Sequence, residues 1–263
     1  MILREFNGLD SQAIVAIGDA LRRINLFRYR AKIPIKLSLD QYYRMSISDE
    51  ERAFVKLVLT FFWSSALPQI YQRTFRREPM LILDLCKFRA QRPEPGHGYA
   101  PWHLDANFYG FDIPMLTAWM PLVDVGVDAP GLDFRLPSGP VDDARIRAFW
   151  EDLPVNARGG RTIDDQQVAD LVGTDHRELA PILKTGNCVI FDQHVLHRTQ
   201  ILPGATKARE AIEFRIVARD QAPTHVMEGR AADLLGSYPQ SQTGQITITA
   251  LGKLFPQLSN QPS

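Results

Sequence analysis

Six short runs dominate the chain from residue 80 onward: "MLILDLCKFR" (80–89), "MLTAWMPLVDV" (115–125), "LDFRL" (132–136), "NCVIFDQ" (187–193), "EAIEFRIVAR" (210–219) and "QITITAL" (245–251). Each is apolar or alternating, and Gly, Pro, Asn and Asp punctuate them. Short strands separated by turn signals must pair with one another to satisfy their backbones. That favours a sandwich or barrel over a parallel α/β sheet. No run leads through a Gly-rich phosphate loop into a helix, so dinucleotide and P-loop readings are weak.

The first third reads as helical. Ile14, Ile17, Leu21 and Ile24 recur at helical spacing over residues 10–24, with Asp10 or Ser11 as the cap. A second helix is expected from Ser48. Ser48 and Glu51 have capping-box spacing, Phe54, Leu57, Val58, Phe61 and Phe62 form an apolar face, and Pro68 marks the end. Residues from about 137 to 185 interrupt the strand pattern with a helix, "DDARIRAFWEDL", and a flexible "NARGGRT". An insertion of that length in a β domain has the character of a lid or binding element. The expected layout is one domain over 1–263, mainly β with flanking helices, helical over about 1–75 and interrupted over about 137–185.

The 30 basic and 30 acidic residues balance, which argues against nucleic acid or an anionic membrane as a partner. The basic stretches "RRINLFRYRAK" and "RTFRRE" read as solvated faces, with contact to an anionic substrate as the alternative. Cys86 and Cys188 lie in apolar strand-like runs and are expected to be buried thiols, which suits a reducing cytoplasm. The start, "MILREFNGLD", lacks the basic and apolar regions of a secretory signal. The most apolar run, "VKLVLTFFWSSAL", is interrupted by Lys56 and falls short of the ~20 residues a membrane span requires.

The chemistry concentrates in two segments. In "YAPWHLDANFYG", an extended backbone would put His103 and Asp105 on one face and Leu104 on the other. An imidazole and a carboxylate on one face supply two-thirds of a 2-His-1-carboxylate triad, the set that leaves positions open on non-haem Fe(II). "FDQHVLHRTQ" offers His194 and His197 as the third ligand. In the following strand, Ile212, Phe214 and Ile216 share an apolar face, while Arg209, Ala211, Glu213 and Arg215 share the other. An arginine facing a cavity beside a metal suits bidentate binding of a carboxylate. Three ligands without a fourth Cys or His nearby fit a closed structural zinc site poorly.

These elements together resemble the phytanoyl-CoA dioxygenase-like family of Fe(II)/2-oxoglutarate-dependent oxygenases. The resemblance rests on "PWHLDANF", "MLTAWMPLVDVGVDAPGLDF", "GNCVIFDQHVLHRT" and "REAIEFR", in that order, over roughly residues 80–219. It implies a double-stranded β-helix (jelly-roll, cupin-like) core. It implies His103, Asp105 and His197 as iron ligands, with His197 preferred over His194. It also implies Arg209 and Thr199 as the 2-oxoglutarate anchor, with Arg215 the alternative, and Thr117 and Trp119 as pocket lining or packing. Asn107 and Tyr109 are candidate substrate contacts on the His103 face. The implied cofactors are Fe(II), 2-oxoglutarate and O₂. The implied reaction is hydroxylation of an unactivated C–H in a small molecule, with release of succinate and CO₂. Desaturation or ring formation by the same centre, and a non-catalytic metal-binding sensor, are the alternatives. Related halogenases lack the carboxylate ligand, so Asp105 disfavours halogenation. Relatives often continue "GLDF" with a Pro-Gly-Ser-His-like turn; the "RLPSGP" here lacks that histidine.

Overall fold

The computed structural model describes residues 3–31, 35–44, 49–83, 85–93, 99–137, 143–155, 161–173 and 176–221. Ser48, His97, His225, the run 245–251 and parts of the expected 137–185 insertion lie outside these residues. In chain order the elements begin with β1 (Leu3–Phe6), α1 (Ser11–Ile24), α2 (Leu26–Arg30), β2 (Ile35–Ser38), α3 (Leu39–Arg44), α4 (Asp49–Ser64) and α5 (Leu67–Phe75). There follow β3 (Pro79–Leu81), β4 (Lys87–Gln91), α6 (Ala106–Tyr109), β5 (Met115–Pro121), β6 (Leu132–Pro137), α7 (Asp143–Asp152) and α8 (Asp165–Val172). The chain then forms β7 (His176–Leu179), β8 (Cys188–Asp192), β9 (Leu196–Thr199) and β10 (Arg209–Ala218).

The strands form two antiparallel sheets. The larger runs β1-β8-β5-β10-β4-β2, with β3 also paired to β10; the smaller runs β7-β6-β9. The two-residue period of β10 divides the larger sheet into two faces. Register places Ile212 beside Met120, and Phe214 beside Ala118 and near Ile190 of β8. This outer face packs on Ile14, Ile17 and Leu21 of α1 and on Phe54, Val58, Phe61 and Phe62 of α4, in the largest apolar cluster. Each such aromatic or aliphatic side chain contributes roughly 1.5–3 kcal/mol by leaving water. The inner face sets Trp119, Val189, Phe191 and Ala211 against Leu132 and Phe134 of β6, so the second apolar cluster lies between the sheets. A jelly-roll core, mainly antiparallel β with helices outside, is the architecture observed.

Local signals explain several boundaries. The Asp10 side chain accepts from the N–H groups of Gln12 and Ala13 and so caps α1. Asp164 and Gln167 form a capping box on α8. Pro68 does not end a helix: α4 stops at Ser64, and Pro68 sits in the first turn of α5, where its missing N–H would have had no partner anyway. The N-terminal third also holds two strands, β1 on β8 and β2 on β4, which it was not expected to contain. Four-residue strands at sheet edges are specified by the neighbour they pair with more than by their own pattern. The run 80–89 divides into β3 and β4, joined by a turn.

Two further differences bear on the site. β7 pairs antiparallel with β6, so the chain rejoins the smaller sheet at His176 instead of remaining inserted to residue 185. Within the segment between β6 and β7, α7 and α8 bury Ile146, Trp150, Val168 and Leu171 against Trp102, Leu104 and Ala106. The N-terminal helices α1 and α4 cover the outer face of the larger sheet and do not close the space between the sheets. No single helix among the described residues is long and apolar enough to cross a membrane. The α4–α5 pair passes by length and composition, but it bends by 49° and buries its apolar face on the sheet. Cys86 and Cys188 are buried and form no disulfide.

Candidate metal centre

The space between the sheets holds a small cavity, about 20 Å³ in volume. The larger sheet lines it with Arg89, Thr117, Trp119, Phe191, Arg209, Glu213 and Arg215. The smaller sheet and the segment before α6 add Leu132, His197, Thr199, Ala100 and His103. The inner-face alternation of β10 thus delivers Arg209, Glu213 and Arg215 to one chamber, as its sequence pattern requires.

His103, Asp105 and His197 each offer a ligand atom, and these atoms lie within 4.8 Å of one another. Their backbone setting differs from the extended reading of "WHLDAN". His103 and His197 are bridged by reciprocal backbone hydrogen bonds of 3.0 and 3.1 Å. At Asp105 the chain turns helical, with φ −68° and ψ −21°, and starts α6. Alternation therefore does not bring the two ligands together. His103 comes from a bridge to β9, and Asp105 from the first turn after it. Gln193 stabilises that turn by accepting the Ala106 N–H at its backbone oxygen. The β8–β9 turn is itself tied by the Asp192 carboxylate, which accepts the His194 N–H.

Second contacts orient each donor. His103 Nδ1 lies 2.8 Å from the Pro101 carbonyl, and His197 Nδ1 lies 2.9 Å from the Val195 carbonyl. A carbonyl only accepts, so each Nδ1 carries the proton and each Nε2 keeps a free lone pair, the tautomer a metal requires. Asp105 Oδ1 accepts from Arg215 Nη2 at 3.0 Å, and Asp105 Oδ2 accepts from the Thr117 hydroxyl. Thr117 lines the cavity, and its hydroxyl donates to the carboxylate of Asp105.

The protonation states suit the same purpose. Burial, reinforced by neighbouring His197, pushes His103 down to about 3, against a smaller upward pull from Asp105. Burial also lowers His197, with Asp105 opposing. Burial alone would raise Asp105, but Arg215 and the two histidines bring it to about 2. At neutral pH the site is two neutral imidazoles and a carboxylate. The unfolded chain takes up a proton near a histidine's ordinary 6.5, whereas folded His103 takes one up only near 3. Between those values the unfolded state holds more protons, so stability falls as pH drops through that window. Asp105 extends the fall in the same direction from its ordinary 3.8 towards 2. The urea midpoint of the metal-free protein is expected to be lower at about pH 5 than at about pH 7.5, and less so in His103→Ala. A pH-dependent change in midpoint that is the same in His103→Ala as in wild type would show that His103 is not held neutral by burial.

A second group of polar residues lies in the same cavity. Arg209 is buried and donates from Nη1 to the Gly131 carbonyl at 3.1 Å and to Thr199 Oγ1 at 3.3 Å. Its Nε, Trp119 Nε1 and Arg215 Nη1 are buried N–H groups with no acceptor among the described residues. Burial and the nearby Arg89 push Arg209 down to about 9, with Glu213 opposing, so it stays charged at neutral pH. Arg215 is raised instead: burial works against the charge, but Asp105 and Glu213 outweigh it.

Other candidates fall elsewhere. The His194 ring stacks on Phe111 and is outside the three-residue cluster. Asn107 does not continue the His103 face, because α6 turns it towards the inserted segment. There its amide donates to the Arg161 carbonyl and its oxygen accepts from Trp150 Nε1. Tyr109 ends α6, and its side chain lies outside what the structure describes. Arg89 was missed, although the alternation of its strand, with Phe88 buried in the helix-side core, marks Arg89 as facing the cavity.

No family model matches the sequence, and no curated protein matches it. The fold does have solved counterparts. The epimerase SnoN, in complex with Fe3+, alpha ketoglutarate and nogalamycin RO, aligns over 93% of this chain and 91% of its own, with TM-score 0.57 and 13% identity. The non-heme alpha ketoglutarate dependent carbocyclase SnoK from nogalamycin biosynthesis aligns over 82% and 79%, with TM-score 0.52 and 15% identity. EctD from S. alaskensis, with 2-oxoglutarate and 5-hydroxyectoine, aligns over 83% and 73%, with TM-score 0.52 and 12% identity. The chain therefore has the jelly-roll fold of these proteins.

Proposed function

We propose that the protein is a non-haem Fe(II)- and 2-oxoglutarate-dependent oxygenase of the phytanoyl-CoA dioxygenase-like kind, acting on a small molecule. The observation that carries this reading is a three-residue cluster, two of whose members, His103 and His197, line the same cavity as buried donors that lack acceptors among the described residues. A buried N–H without an acceptor costs about 1–3 kcal/mol. A bound dicarboxylate would relieve that cost at Arg209 Nε and Trp119 Nε1. The shared fold of SnoN, SnoK and EctD supports the reading, since each is described with iron, with 2-oxoglutarate (alpha ketoglutarate) or as dependent on it.

In this reading His103, Asp105 and His197 hold Fe(II), while Arg209 and Thr199 hold the distal carboxylate of 2-oxoglutarate. Fe(II), 2-oxoglutarate and O₂ supply the oxidant for attack on an unactivated C–H, with release of succinate and CO₂. The chain's own contribution is positional. Pro101 and Val195 fix the imidazole tautomers, and Thr117 and Arg215 orient the Asp105 carboxylate. Gly131 and Thr199 hold the Arg209 guanidinium. The sheets on either side exclude water. Helices α7 and α8 pack against Trp102, Leu104 and Ala106 beside His103, and in this reading they act as a lid over the substrate.

Hydroxylation is the proposed outcome. Redirection to epimerisation or ring closure is the second reading, favoured by the fold shared with an epimerase and a carbocyclase. A screen of small metabolites for succinate release, with product masses recorded, tests both. A gain of one oxygen supports hydroxylation, loss of two hydrogens supports desaturation or cyclisation, and an unchanged mass supports epimerisation. Failure to release succinate with any substrate, together with no binding of Fe(II), would overturn the oxygenase reading.

A further inference from the structure

Behind Asp105 stands a row of buried charges. Asp105 Oδ1 accepts from Arg215 Nη2 at 3.0 Å, and the same nitrogen lies 3.4 Å from Glu213 Oε2. Glu213 is held in turn by Arg89, with Nε 2.5 Å from Oε1 and Nη2 3.2 Å from Oε2. Charge alternates along the row from Asp105 through Arg215 and Glu213 to Arg89. The side chains are 0%, 5%, 7% and 13% exposed in that order. Arg89 and Glu213 meet because Arg89 lies opposite Ala211 on β10, which places Glu213 on the adjacent diagonal of the same face.

Stability alone is a poor reason for such a row. Removing charges from water costs several kcal/mol per ion, and well-packed apolar groups in their place are often as stable. The geometry serves the carboxylate instead. Thr117 occupies Oδ2, so Oδ1 is the oxygen that also faces His197, whose Nε2 lies 3.9 Å away. Arg215 touches that same oxygen. Shared with Glu213, the guanidinium orients Asp105 while giving part of its charge to another carboxylate. Without Glu213 it would turn wholly on Oδ1 and compete with a cation.

We propose that Glu213 is a positioning residue that acts through Arg215, dividing the guanidinium between two carboxylates so that Asp105 stays oriented and available to a divalent metal. The inference rests on the reading of His103, Asp105 and His197 as a metal site.

The test is Mn(II) affinity of the full-length protein, titrated by calorimetry or by the free-ion EPR signal. Glu213→Gln keeps the side chain's shape and should weaken binding roughly 10- to 100-fold, the range for changes behind a metal ligand. Glu213→Asp keeps the charge with a shorter reach and should fall between Glu213→Gln and wild type; it carries the test if Glu213→Gln does not fold. In an Arg215→Gln background, adding Glu213→Gln should change affinity less than about twofold, because the effect passes through Arg215. Wild-type affinity in both Glu213 variants would overturn the inference. So would an undiminished loss in the Arg215→Gln background, which would mean that Glu213 acts independently. If wild type bound no Mn(II), the metal-site reading would fall and this inference with it. Equal binding by wild type and the Glu213 variants removes the inference alone.

Discussion

His103→Ala is expected to lose at least about 1,000-fold in succinate release, or roughly 4 kcal/mol at 1.36 kcal/mol per tenfold. Only His103, Asp105 and His197 form a metal-competent cluster among the described residues, so two donors remain after the substitution. The variant is a fair test because the bridge between His103 and His197 is made by backbone atoms, which alanine retains. The decisive readout is spectroscopic. Anaerobic Fe(II) and 2-oxoglutarate should give a metal-to-ligand charge-transfer absorbance in the wild type and none in the variant. A retained band would show that His103 is not a ligand. His194→Ala should keep the band, since its ring packs on Phe111.

Arg209→Ala is expected to raise the KM for 2-oxoglutarate roughly 10- to 100-fold, with metal affinity nearly unchanged. A charge-assisted hydrogen bond contributes about 1.5–3 kcal/mol, and 1.4 kcal/mol corresponds to tenfold. Arg209→Lys should recover only part of the loss, because an ammonium cannot reproduce the planar fork. The separation of effects follows from position: Arg209 bonds Thr199 and Gly131, whereas Arg215 bonds Asp105. Titrating 2-oxoglutarate into the Fe(II)-loaded variant and following the charge-transfer band measures this directly. An unchanged 2-oxoglutarate dependence would move the anchor from Arg209 to Arg215.

Much of this arrangement was legible in the residues. The two-residue period of "REAIEFRIVA" separates Ile212, Phe214 and Ile216 from Arg209, Glu213 and Arg215, and the sheet uses it in that form. Asp10 and the apolar stripe of α1 are equally local. Other features were not local. β1 and β2 are short edge strands, completed by β8 and β4 from distant parts of the chain. Asp105 and Asn107 were placed by extrapolating a strand period through a point where the backbone turns helical. That error left the expected meeting of His103 and Asp105 intact but sent Asn107 to Trp150 and Arg161.

What the sequence determined by itself is the inventory and its facing: antiparallel strands with one apolar and one charged side, and a His-x-Asp element with histidines and arginines downstream. These follow from side-chain period and residue chemistry, which act over a few residues. What only the tertiary structure decided is who serves whom. Thr117 and Arg215 serve Asp105, Arg209 is left with a buried donor that has no acceptor among the described residues, and Arg89 meets Glu213 across strands 124 residues apart in the chain. Those assignments depend on cross-strand register and on which buried donors find acceptors, and neither is settled until distant strands pair.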